Sequence, residues 1–76
     1  MYAIGQKVRL VTDIHAVDVY YNQNPRGGMV VEKMYKPGEY VGDDQYNHTG
    51  ENLYLVACFG GVIRMYFTET EIEPCN

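Results

Sequence analysis

The chain contains no serine and no tryptophan, only two cysteines, and six basic residues against ten acidic ones among its 76. Each shortage removes a class of function. Without serine there is no serine nucleophile for acyl transfer. Two cysteines, Cys58 and Cys75, do not make a disulfide framework. Cys58 sits in an apolar run, where a thiol behaves as a small hydrophobe and is chemically inert. The net charge of −4 argues against a simple phosphate-binding surface. No Gly-rich phosphate loop is present, and no apolar run has signal-peptide or membrane-spanning length. The two histidines have no evident nucleophile beside them. Binding rather than catalysis is therefore the expectation, with no cofactor, no membrane association and a cytoplasmic location.

Seventy-six residues make one domain. A chain of this size buries about 60–65% of the surface its unfolded form exposes, so its core is thin. What the sequence does have is tyrosine, which supplies eight of its ten aromatic residues. Tyrosine joins an apolar body to a polar tip and suits binding surfaces as well as strands. Charge is also uneven. Residues 1–38 carry Lys7, Arg9, Arg26, Lys33 and Lys36 against Asp13, Asp18 and Glu32, a net +2. Residues 39–76 carry only Arg64 against Glu39, Asp43, Asp44, Glu51, Glu69, Glu71 and Glu73, a net −6.

The hydrophobic pattern is that of strands. In Lys7-Val-Arg-Leu-Val-Thr12, Val8 and Leu10 face one way and Lys7 and Arg9 the other. Residues 13–27 have no period and are rich in turn formers, so they read as a long loop. Residues 28–35 read as a second strand whose imperfect alternation suggests a bulge. Residues 36–52 form a second polar loop, with Tyr40 and Tyr46 as its large side chains. Leu53–Phe59 and Val62–Phe67 flank Gly60-Gly61, the pattern of a hairpin with a tight primed turn. One turn at Thr68–Thr70 precedes a short closing strand over 71–73. No segment keeps a 3.6-residue period. The class is all-β, and five short strands suit a small closed barrel without exposed edges.

The order Ile4-Gly5-x-Lys7-Val8-x-x-Val11, Gly28-x-Val30-Val31, Tyr54-x-Val56 and Phe67-x-x-x-Glu71-Ile72-Glu73-Pro74 resembles bacterial SH3-like barrels of KOW/Tudor-like layout. It is similar in particular to small acidic SH3-fold antirepressors. The resemblance covers nearly the whole chain. It implies a five-stranded SH3-like barrel with an RT-type loop at 13–27, an n-Src-type loop at 36–52 and a one-turn helix before the last strand. The aromatic set with tryptophan that grips proline-rich helices in eukaryotic SH3 domains has no match here.

Function is therefore expected in the two loops. Tyr20, Tyr21 and Arg26 of the first, and Tyr40, Asp43, Asp44, Tyr46 and Glu51 of the second, are the candidate partner-binding residues, with tyrosines as anchors and carboxylates steering a basic partner. The expected partner is another protein, including a basic or DNA-binding one whose nucleic acid the carboxylates imitate. An accessory or inhibitory protein of bacterial or phage origin, monomeric or weakly dimeric, fits this reading. Nucleic-acid binding through the basic strand residues is the weaker candidate, and assembly through a barrel edge is a third. A methyl-lysine cage would draw on Tyr20, Tyr21, Tyr54 and Tyr66. Asp13-Ile-His15 and Asp43-Asp44…His48 lack a zinc or calcium spacing, so no metal is expected. Glu71 and Glu73 are expected to share the outer face of the last strand. Asn47-His48-Thr49 has the form of a glycosylation sequon and reads as a chance match.

Overall fold

The computed structural model describes residues 1–11 and 28–75. The long loop expected at 13–27 lies outside the described residues, and with it Tyr20, Tyr21 and Arg26. The regular structure of the remainder is two 3-10 turns and seven antiparallel strands: β1 (Lys7–Leu10), β2 (Met29–Tyr35), β3 (Tyr40–Gly42), β4 (Gln45–Tyr46), β5 (Leu53–Cys58), β6 (Ile63–Thr68) and β7 (Ile72–Pro74). Five of them form one sheet in the order β6-β5-β2-β1-β7, and β3 and β4 form a separate hairpin. Among the described residues no helix is long and apolar enough to cross a membrane.

The alternation in β1 holds, with Val8 and Leu10 buried and Lys7 and Arg9 exposed. The irregular second strand has the bulge its pattern suggests. Register against β5 shifts between Val31 and Lys33, leaving Glu32 as the extra residue. That insertion exchanges the faces of the strand. Met29 and Val31, before the bulge, stand opposite Cys58 and Val56 on the core side, and after it Met34 stands opposite Tyr54. Tyr35, opposite Leu53, is thereby turned to the other face of the sheet.

The sheet must curl. A flat five-stranded sheet would hold β6 and β7 roughly 19 Å apart, at about 4.8 Å per strand. Thr68 and Ile72 belong to those opposite edges, yet only the 3-10 turn Glu69–Glu71 joins them. Four residues reach at most about 13–14 Å when fully extended, and less in a helical turn. Curling brings Phe67 and Ile72 into one core with Val8, Leu10, Met29, Val31, Tyr54, Val56, Cys58 and Phe59. The ladder itself stays open, since no pairing links β6 to β7 among the described residues. β7 has three residues and ends at Pro74, which has no N–H to give to a ladder.

Three expectations are corrected. The β5–β6 hairpin forms, but not through a two-residue turn at Gly60-Gly61. Cys58 pairs with Ile63, so residues 59–62 make the connection. Phe59 adopts a left-handed backbone (φ 57°) that lets its ring join the core instead of continuing the strand. That conformation costs a bulky residue on the order of 1–2 kcal/mol, less than the ~3 kcal/mol upper value for burying a phenylalanine side chain. Second, residues 36–52 are not a featureless loop, because they contain the β3–β4 hairpin. Third, Glu71 and Glu73 do not share a strand face, because Glu71 belongs to the 3-10 turn Glu69–Glu71 and β7 starts at Ile72. Glu71 closes a capping box, accepting a bond from the Thr68 amide at 2.7 Å. Glu73 pairs with Arg9 at 2.7 Å.

Candidate functional site

The β3–β4 hairpin is made by local chemistry. Gly42 pairs with Gln45, so Asp43-Asp44 is a two-residue turn. Both aspartates have positive φ, 52° and 59°, as a type I′ turn requires. Aspartate is among the few residues other than glycine that tolerate this region. The Asp44 amide donates to the Tyr40 hydroxyl at 3.3 Å, which ties the tip to the strand before it. Tyr40 and Tyr46 stand opposite each other with ring centroids 5.4 Å apart in an edge-to-face arrangement. His48 adds a third ring, 6.2 Å from Tyr46.

Asn47 fastens this hairpin to the sheet. Its side chain is only 3% exposed. The amide nitrogen donates to the Tyr35 and Glu51 carbonyls at 3.0 and 2.8 Å. The amide oxygen accepts from the Thr49 N–H and hydroxyl at 3.1 and 2.6 Å. In the main chain, Asn47 N–H donates to Glu39 and its carbonyl accepts from Gly38, both at 2.8 Å. The sequon therefore encodes a structural knot. A glycan on this nitrogen would require the hairpin to come away, because both N–H bonds point inward.

Between the hairpin and the outer face of the sheet lies a cleft of about 340 Å³, lined by Val41, Gly42, Asp43, Gln45, Tyr46, Leu53 and Tyr66. The bulge in β2 helps to build its surroundings. Tyr35, turned to the outer face, is buried beside Tyr66 (6.2 Å between centroids), and the Lys33 ammonium lies 5.3 Å from the Tyr35 ring. Around the cleft Tyr40, Tyr46 and Tyr66 remain 54%, 51% and 47% exposed. Among the described residues no donor or cation pairs with the carboxylate of Asp43 or Asp44.

Four of the expected residues, Tyr40, Asp43, Asp44 and Tyr46, thus lie on one hairpin, with Asp43 and Tyr46 lining the cleft. Glu51 belongs elsewhere: its carboxylate accepts from the Thr70 N–H and hydroxyl, both at 3.1 Å, bracing the turn before β7. Tyr54 cannot serve an aromatic cage on the surface. It is fully buried and its hydroxyl donates to Glu69 at 2.5 Å. Burial, and then that bond, raise the Tyr54 pKa above its ordinary 10, while the same bond holds the Glu69 carboxyl below the usual range, helped by Asn52. Val41, Gln45 and Leu53 had no distinguishing mark in the sequence, whereas Lys33 was marked only as a basic strand residue and Tyr66 only as a ring for a methyl-lysine cage.

Other chemistry is sparse. Burial pushes the Cys58 thiol up to about 11, so it stays protonated and unreactive at neutral pH. Cys75 is exposed. Among the described residues no three His, Cys, Asp or Glu side chains converge on a metal position; Asp13 and His15 lie outside those residues. The chain matches no protein-family model, no curated protein and no solved structure.

Proposed function

We propose that this chain is a small acidic protein-binding module on an SH3-like barrel, working as an accessory or inhibitory protein of bacterial or phage origin in the cytoplasm. It acts by protein–protein contact, including imitation of DNA toward a DNA-binding or defence protein. The observation that carries this reading is the cleft where the hairpin meets the sheet: half-exposed Tyr46 and Tyr66 line it with Asp43, and Tyr40 and Asp44 stand on the same hairpin, neither aspartate carboxylate having a partner among the described residues. Half-exposed tyrosines offer large contact area at small conformational cost and are common interface anchors. Unpaired carboxylates beside them steer a basic partner and penalise an acidic one. The barrel reading is supported by the strand order and by the single turn that joins the two edges of the curled sheet.

The nucleic-acid reading has less behind it. Of the described arginines, Arg9 is paired with Glu73, and Arg64 is held by both oxygens of Glu32 at 2.6 and 3.3 Å. Each of these guanidinium groups already has a carboxylate beside it. Affinity capture from the source cell with wild type and a Tyr40→Ala/Tyr46→Ala variant tests the proposal. It predicts a partner retained by wild type and lost by the variant. Equal capture, or tight binding of mixed DNA that weakens steeply with salt, would overturn it.

A further inference from the structure

We infer that the cleft between the β3–β4 hairpin and the outer face of the sheet receives one arginine side chain of the partner protein, an inference that rests on the protein-binding reading above. Its lining supplies what such a side chain needs. Leu53 and Val41 offer apolar surface to the three-carbon stem. Tyr46 and Tyr66 line it with aromatic side chains, the residue type on which a flat cation stacks. Asp43 lines the same space, and its carboxylate has no partner among the described residues. No described cation is paired with it: Arg64 pairs with Glu32, and the Lys33 ammonium lies 5.3 Å from the Tyr35 ring centroid.

Charge selects the occupant. An acidic side chain would meet Asp43 and Asp44, and a purely aliphatic one would leave the Asp43 carboxylate facing it without a partner. A guanidinium is favoured over an ammonium because it is planar, weakly hydrated and able to stack on a tyrosine while donating to a carboxylate. An ammonium is a compact, strongly hydrated charge that gives up more water to enter a mostly apolar cleft. Arginine is also a residue that basic and DNA-binding partners present outward, so the cleft gives the acidic surface a specific point of attachment rather than a diffuse field.

The test uses n-butylguanidinium, n-butylammonium and neutral n-butylurea as probes, followed by NMR of the intact chain. Butylguanidinium is expected to shift the signals of Gly42, Asp43, Gln45, Tyr46, Leu53 and Tyr66, with butylammonium binding more weakly and butylurea hardly at all. Asp43→Asn, which keeps the side-chain shape and suits the positive φ, and Tyr66→Ala are each expected to weaken the guanidinium response about three- to fivefold. Unchanged signals of the core residues Val8, Leu10, Val31 and Ile72 in both variants would exclude misfolding as the cause. Equal responses to butylguanidinium and butylurea, no effect of Asp43→Asn, or shifts centred elsewhere would overturn the inference. If the partner is still lost on Tyr40→Ala/Tyr46→Ala while the guanidinium response is absent, only the arginine assignment fails. If capture is unaffected by that double change, the binding reading itself fails.

Discussion

Replacing Asn47 with alanine removes four side-chain hydrogen bonds from a position that solvent does not reach. Each such bond is worth about 1 kcal/mol net, and a buried group left unpaired costs about 1–3 kcal/mol. Part of the loss is cushioned, since the Glu51 carbonyl keeps its bond from the Thr49 hydroxyl. The expected destabilisation is therefore about 2–4 kcal/mol, a large share of the roughly 4–11 kcal/mol available to a domain of this length. Asn47→Asp should be worse near neutral pH, because a carboxylate oxygen would replace the amide nitrogen against two carbonyl oxygens. Burial and those carbonyls would raise its folded pKa above the unfolded value. The Asn47→Asp penalty should accordingly be smallest below the unfolded pKa and grow as pH rises through the folded one. Urea unfolding followed by circular dichroism measures the stability of both variants. Exchange of the Asn47 amide proton, which the Glu39 carbonyl holds, reports whether the hairpin comes loose first. An Asn47→Ala variant within about 0.5 kcal/mol of wild type, with that proton still protected, would refute the reasoning, because surface substitutions commonly fall in that range.

Asp44→Gly should stabilise the hairpin by about 0.5 kcal/mol, because glycine accepts the positive φ of a type I′ turn more readily than aspartate; urea midpoints read the change. Glu69 titrates below the ordinary carboxylate range in the folded chain, so it contributes stability above the unfolded pKa that is lost as pH falls through the folded one. Glu69→Gln should flatten the acid limb of the stability profile, measured by urea unfolding at successive pH values. A thiol reagent at neutral pH should modify Cys75 quickly and Cys58 only after denaturant is added, since Cys58 is buried with its pKa raised to about 11.

Where a strand buries one face, the sequence exposes it: Val8 and Leu10 alternate with Lys7 and Arg9, and the structure keeps that pattern. The bulge was legible as broken alternation, but its consequence was not. Nothing in Glu32-Lys33-Met34-Tyr35 says that Tyr35 will be covered on the outer face, because the ring beside it, Tyr66, comes from β6, about thirty residues on. The β3–β4 hairpin was hidden by its brevity. Two short strands around Gly-Asp-Asp look like loop composition until Tyr40 and Tyr46 are seen as a cross-strand pair. Asn47 resembled a modification motif because local sequence cannot report burial. Phe59 was misplaced for a related reason: a φ of 57° in a phenylalanine is a tertiary outcome, forced by the core against local preference. In the site, the expected tyrosines and aspartates of the second loop come together. Glu51 does not join them, because Thr70 and not the cleft is within its reach.

The central claim is that the hairpin–sheet cleft is the face that meets another protein. A photoreactive amino acid placed at Tyr46 in the source cell tests it most directly, with a second placement at exposed Cys75 beyond the β7 edge as the control. The account predicts a discrete protein adduct from position 46 that disappears when Asp43→Asn and Tyr66→Ala are added, and none from position 75. Adducts of equal yield from both positions, or none from position 46 while position 75 captures the partner, would contradict it.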